Sequence, residues 1–335
     1  MLSFVRFMLL FIGLSVLVPV QATMFKIATI APDGTRWMEE MRKGADAIEK
    51  QTAGRVQIRY YPGGVMGNDQ SVLRKIRIGQ LQGGAITGGG LADISADSQI
   101  YSIPFTFNSY AEVDYVRKRV DPLLIAGLKE KGFISFGISE GGFAYLMSKS
   151  SVAGVDDLKG HKVWVPEGDE ISRASFEAAH VSPISLPLTD VLTGLQTGMI
   201  DTIASSTVGA IALQWYTQVK YMNDSPLMYL YGTMVIKRDQ FEKLSAEDQA
   251  VVSRVMGDVF KRLDTMNRAD NDAAKDVLKQ RGIVFVHSSD AETRHWREVN
   301  APAMEKLKAS GQFSPALLKV QDDALAEFRK GAVKR

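Results

Sequence analysis

From Ser245 onward the chain carries one long apolar face: Val252, Met256, Val259, Leu263 and Met266 recur at helical spacing, and Asp248 follows Ser245 by three residues as a capping-box-like pair. The pattern extends to about Gln280. A helix of roughly thirty-six residues runs about 54 Å at 1.5 Å per residue. That is longer than one small lobe needs, so the spacing predicts a helix laid across two.

Upstream, strand and helix patterns alternate. Phe25 to Ile30 reads as a strand, and Trp37, Met41, Ala45 and Ile48 read as a helix closed by Gly54. Val56, Ile58 and Tyr60 alternate as a second strand. A helix through Leu73 and Ile76, with Asn68 as its cap, leads to a Gly-rich strand, Gly83 to Gly90. The same order resumes with strand Lys162–Val165, a helix near Ser172–Ala179, strand Ser182–Leu186, a helix Thr189–Thr197 and strand Met199–Ala204. Such alternation argues for parallel sheets covered by helices, and two runs imply two sheets and two lobes joined by several strand crossings.

Residues 1–22 are set apart from this. Arg6 is their only charge, Phe7 to Val18 is mostly apolar, and Val20-Gln21-Ala22 has the small-x-small form of a cleavage site, so a cleaved signal peptide and export are expected. An uncleaved anchor is the alternative, and the apolar run is short for one. Without Arg6, 39 basic residues face 38 acidic ones, which gives no electrostatic reason to expect nucleic acid or an anionic membrane as partner. There is no cysteine, so an exported chain must hold together by its core; a bacterial periplasmic protein fits this better than a small disulfide-stapled module.

A search for catalysis finds little. His161, His180, His287 and His295 are scattered, no HExxH pair occurs, and the cysteine-based zinc sets are absent. His287 and His295 flank Ser288-Ser289-Asp290, which reads as a solvated loop, since a triad is a matter of geometry. Gly88-Gly89-Gly90 lacks the spacing of a phosphate-cradling loop. No enzyme activity, metal or cofactor is expected.

What remains is a binding protein. Gly54-Arg55-Val56, Tyr61-Pro62-Gly63-Gly64, Met66-Gly67, Gly79-Gln80-Leu81, Ile103-Pro104-Phe105, Asp157-Leu158-Lys159-Gly160-His161-Lys162-Val163 and Leu195-Gln196-Thr197-Gly198-Met199-Ile200-Asp201 follow one another in the order and spacing of a known family. The chain resembles the DctP-type solute-binding proteins of tripartite ATP-independent periplasmic (TRAP) transporters from about Phe25 to Gln280. The resemblance implies an α/β, two-lobed periplasmic binding protein with a long helix bracing both lobes. Lobe I would be residues 23–147 plus about 230–250, and lobe II 148–229 plus about 251–335. The helix of about 245–280 spans both, and 1–22 is the signal peptide. It also implies a monomer that holds a small-molecule solute in the interlobe cleft, closes on it, and meets the small and large membrane subunits of a transporter. A periplasmic sensing subunit for a membrane kinase would use the same fold, and a secreted hydrolase is a third class.

Members of this family usually carry Arg where this chain has Trp164, and that Arg pairs with a ligand carboxylate. An Arg expected after Gly142-Phe143 is Ala144, and an Asn expected after Asp201 is Ser205. Trp164, centred on a short strand before the acidic turn of Glu167, Asp169 and Glu170, could fill a core or floor a pocket; the resemblance favours the pocket. The other expected ligand-binding residues are Thr29, Thr87, Gly89, Phe143, Tyr145, Glu167, Asp169, Leu188, Thr189, Ser205 and Trp215, with Tyr216 near the cleft. An uncharged, hydroxylated or amide-bearing ligand is expected, because the acid-binding groups are missing. Arg173, in the next helix, could restore a carboxylate site.

Overall fold

The protein is represented by a computed structural model that describes residues 22–332. The expected signal peptide, apart from Ala22, lies outside the described residues. Strand β1 (Thr23–Thr29) leads through α1 (Arg36–Gln51) to β2 (Val56–Tyr61), which lies parallel to it with Thr23 opposite Val56. The crossover forms because Phe25 and Ile27 share one face of β1 and bury against Met38, Met41 and Ile48 of α1. Helix α2 (Asp69–Arg77) starts where expected: the Asn68 side chain accepts from the backbone N–H of Ser71 at 2.9 Å. Strand β3 (Gly83–Thr87) then pairs parallel with β1.

After α3 (Tyr110–Glu130) and β4 (Phe133–Ser135) comes the long β5 (Ser139–Ser148). A second α/β run follows: β6 (Trp164–Pro166), α4 (Glu170–Ala178), β7 (Ile184–Leu186), α5 (Val191–Thr197), β8 (Thr202–Ser205) and α6 (Thr207–Ala212). The chain continues through β9 (Tyr221–Asn223), the long β10 (Met228–Lys237), α7 (Arg238–Phe241), α8 (Ala246–Gln280), β11 (Val284–Val286), α9 (Asp290–Ala309) and α10 (Pro315–Ala332).

The two expected sheets share their strands. One nine-stranded path runs β11-β9-β5-β10-β3-β1-β2, with β4 on β10 and β8 on β5, while β6 and β7 form a separate parallel pair. Its two central members, β5 and β10, are antiparallel and serve both halves. Their ladder slips between Leu230 and Tyr231, which face Gly142 and Glu140 and leave Gly141 without an opposite residue. On one side of the slip β10 joins β3, which continues to β1; on the other β5 joins β8 and β9.

The long helix matches its expected span. The Ser245 side chain accepts from Asp248 N–H, and Val252, Met256, Val259 and Leu263 are buried. Helix α8 packs on α1, β5 and α6. Helix α9 lies on α4, and α10 lies on α3. Among the described residues no helix is long and apolar enough to cross a membrane.

Candidate ligand-binding cleft

Parallel strands leave their carboxyl ends and the following loops at one edge of a sheet, where ligands of open α/β sheets are held. Here Thr29 ends β1, and Thr87 ends β3 before Gly88-Gly89-Gly90. Opposite them stand the Pro166–Asp169 turn after β6 and the Pro187–Thr189 turn after β7. The two edges touch. The Asn68 amide donates to Glu167 Oε2 at 3.0 Å, and the Gln99 amide reaches Asp169 Oδ1 at 3.4 Å. A β-carbon on Gly64 would lie 3.1 Å from Thr189 Cγ2. The lobes are therefore closed on each other.

Trp164 is 4 % exposed and Trp215 3 %. The Trp164 indole N–H donates to the Leu186 carbonyl at 3.0 Å, and its ring meets Trp215 edge-on at 5.4 Å and 71°. In this closed form both indoles are packed, and the single N–H of Trp164 is taken by backbone. Phe143 and Tyr145 share one face of β5 and belong to the same buried apolar group as the two indoles. Phe143 packs against Tyr110 at 4.8 Å, and Lys275 Nζ sits 5.5 Å over the Tyr145 ring, whose hydroxyl is pushed up in pKa chiefly by burial. Ala144 points the other way, fully buried in a second group with Val163, Val165 and Phe176. Ser205 lies opposite Tyr145, and its hydroxyl donates to the Ser206 carbonyl at 3.1 Å.

On the lobe I side Thr29 Oγ1 accepts from Ala31 N–H at 3.1 Å. Thr87 is held by the first residue of α2: its N–H and hydroxyl both donate to Asp69 Oδ2, at 3.1 and 2.7 Å. Burial raises the Asp69 carboxyl to about 6, against the pull of those two hydrogen bonds. The triple glycine is explained by the same neighbourhood. A β-carbon on Gly88 would come 2.5 Å from the Tyr231 ring, and one on Gly90 would come 2.2 Å from Asp69 Oδ2, whereas Gly89 faces open space.

The acidic turn divides. Glu167 and Glu170 are exposed, and Glu170 stands 3.7 Å from Arg173, the candidate anion anchor. Asp169 is buried and capping α4: it accepts from Ser172 N–H at 3.0 Å and from Ser172 Oγ at 2.6 Å, and burial raises its pKa. Leu188 is half-buried, and Thr189 is exposed with its hydroxyl donating to Asp190 at 3.2 Å. Gln99, Asp69 and Asn68 thus stand at or beside the seam; sequence pattern passes over Gln99 and Asp69 and marks Asn68 only as a helix cap.

Two groups bear on hydrolysis. His287 bonds Asp224 at 2.9 Å while Ser288 Oγ donates to the Ala153 carbonyl, so the Ser288-Ser289-Asp290 segment assembles no triad. Ser150 Oγ, His161 Nε2, His161 Nδ1 and Asp201 Oδ1 do fall in line, with both hydrogen-bond steps at 3.2 Å. Yet Nδ1 is nearer Thr202 Oγ1, at 2.7 Å, and Asp201 Oδ1 also receives the Lys162 N–H and the Thr202 hydroxyl. That carboxylate is occupied in tying β8 to the loop before β6, so the line reads as a structural tether.

Residues 27–310 match the family described as bacterial extracellular solute-binding protein, family 7. The chain is 21% identical over 281 residues to the C4-dicarboxylate-binding periplasmic protein DctP of Rhodobacter capsulatus, covering 83% of this chain and 84% of that one. It superposes with a TM-score of 0.85 and 20% identity on the sugar acid binding protein of Advenella mimigardefordensis in complex with galactonate, covering 92% and 99% of the two chains. A TRAP periplasmic solute binding protein from Shewanella oneidensis with bound succinate gives 0.84 and 18%, over 91% and 100%.

Proposed function

The chain belongs to the DctP family, bacterial extracellular solute-binding protein family 7, and from that membership we propose that it is a TRAP receptor that closes on a small uncharged polar solute and delivers it to the membrane subunits. The family is one of extracytoplasmic solute receptors, not of enzymes. In this reading lobe I is 23–147 plus about 230–250 and lobe II is 148–229 plus about 251–335, with α10 lying over onto α3.

The observation that carries the ligand class is the chemistry at two positions: an indole at Trp164 and a hydroxyl at Ser205 stand where an acid-binding member would place a cation and an amide, while Ala144 faces away from the cleft and adds nothing to this. The cations nearest the crossing strands have partners already. Arg268 is held by Asp114 and Glu140 at 2.8 and 2.5 Å, and Lys275 by Asp272 at 3.2 Å. A carboxylate desolvated there without a new partner would cost several kcal/mol. A hydroxylated or amide-bearing solute avoids that cost, because its C–H face can lie on Trp164 or Trp215 while Thr29, Thr87, Gly89, Glu167 or Thr189 takes its polar groups. For Trp164 and Trp215 this requires the lobes to part and the indoles to turn outward.

A carboxylate receptor is the second reading. It is favoured by the names of relatives, which include a C4-dicarboxylate-binding protein and structures with galactonate and succinate. Arg173 would be its anchor, released from Glu170. Calorimetry with paired solutes, a sugar acid or short dicarboxylate against its neutral alcohol or amide, decides between them. The uncharged reading expects tighter binding of the neutral member, weakened at least about tenfold by Trp164→Ala. Tight binding of the acid, lost in Arg173→Ala and unchanged in Trp164→Ala, would overturn it.

A further inference from the structure

Helix α2 ends in three cations, Arg74, Lys75 and Arg77. Arg74 donates to Ser71 Oγ at 2.8 Å, Lys75 to the Met66 carbonyl at 2.7 Å, and Arg77 to the Asp93 carbonyl at 3.2 Å. Among the described residues none of the three pairs with a carboxylate. Basic side chains in a last helical turn complement the helix dipole, which accounts for their sign. It does not account for what lies between them. Val65 is 71% exposed and Ile78 70%, the highest values among the exposed large apolar side chains. Both line one groove of about 570 Å³ that also takes in the three cations and no acidic residue.

The groove adjoins the closing seam. Its Val65–Gly67 wall runs directly into Asn68, which bonds Glu167 across the lobes, and starts beside Gly64, which faces Thr189. The lining comes wholly from Val65 to Gln80 of one lobe, so the groove keeps its own walls whether or not the lobes are parted, and closing sets Glu167 and Thr189 beside its rim. The occupant must offer an apolar side chain to Val65 and Ile78 and carboxylates to the unpaired cations. A concave groove of this size suits a protruding protein segment better than a flat lipid surface.

Resting on the receptor reading above, we infer that this groove is a docking surface through which the membrane subunits bind the receptor, using an apolar side chain framed by acidic residues. The test uses the small and large membrane subunits purified together in phosphatidylcholine nanodiscs, with binding of the full receptor followed by interferometry. Val65→Asp/Ile78→Asp and Arg74→Glu/Arg77→Glu should each weaken binding at least about tenfold, with circular dichroism and melting unchanged, and added salt should weaken the wild type. Wild-type binding that both variant pairs retain overturns the groove and leaves the receptor reading intact. Wild-type binding of equal strength to empty nanodiscs rich in phosphatidylglycerol assigns the groove to lipid and also overturns it. No wild-type binding to the subunits at all overturns the receptor reading and the groove with it.

Discussion

Asp69 shows how one side chain can be costly and still hold its neighbour in place. Its carboxyl is enclosed under Thr87, and burial lifts its pKa from 3.8 to about 6. Because the folded state holds the proton more tightly than the unfolded chain, the stability linked to this group is fully present below about pH 4. It is lost as pH rises through about 6. Two pKa units correspond to at most about 3 kcal/mol. Asp69→Asn, which keeps an acceptor for the Thr87 N–H, should therefore flatten the pH dependence of urea unfolding between about pH 4 and 7.5; a profile parallel to the wild type would show that Asp69 is not the titrating group. The residue scale is also where the sequence is least legible. The positions of Trp164 and Trp215 on their elements can be read from it, but whether an aromatic side chain packs inward or floors a cleft depends on partners from β7 and the β8–β9 connection. Periodicity within a three-residue strand cannot report them.

Elements with their own local signals are the most legible. Asn68 and Ser245 cap α2 and α8 as expected, because a side-chain oxygen at a helix start satisfies an otherwise orphaned N–H, and the apolar spacing of α8 marks its extent. The central strands β5 and β10 escape such reading. Nearly every residue of β5 is buried, on both faces, so no alternation marks it, and both strands pass through glycine. Helix α3 escapes it too, with Pro122 inside it. The pattern of the Gly-rich strand runs to Gly90, but the strand ends at Thr87, because the next three residues turn over Asp69. Their packing yields a contrast within one loop. Gly90→Ala and Gly88→Ala, which drive a methyl into Asp69 and Tyr231, should each cost about 1–3 kcal/mol. Gly89→Ala, at φ −64° with open space around it, should be neutral or stabilise by up to about 1 kcal/mol. Melting curves of the three variants decide it, and equal losses at all three positions would contradict this packing.

At the scale of the whole molecule, bending between the lobes is expected where β5 and β10 slip past each other at Gly141. The long helix is fastened there. Asn271 donates to the Gly141 carbonyl at 3.1 Å, Asn267 to the Glu140 carbonyl at 2.7 Å, and Arg268 grips the buried Glu140 carboxylate. Arg117 adds a tie from α3 to Asp264 of α8 at 2.8 Å. A pivot so braced leaves closure to be decided at the far edge, where single polar contacts join the lobes. Asn68 is the informative one because it has two jobs on two atoms: Oδ1 caps α2 while Nδ2 donates to Glu167. Asn68→Asp keeps the cap, removes the donor and sets two carboxylates against each other. The loss of one exposed hydrogen bond plus like-charge repulsion amounts to about 1 kcal/mol or more, so the open-to-closed ratio should rise roughly fivefold or more. Adding Glu167→Gln returns a donor to the pair and should restore closure, which a general loosening of α2 would not allow. With no native cysteine, spin labels on introduced cysteines at exposed positions of the two lobes can read the distance distribution directly. The expected result is a longer, broader distribution for Asn68→Asp, returned to the wild-type distribution in the double variant. Identical distributions in all three proteins would mean that the Asn68–Glu167 contact follows closure without helping to set it.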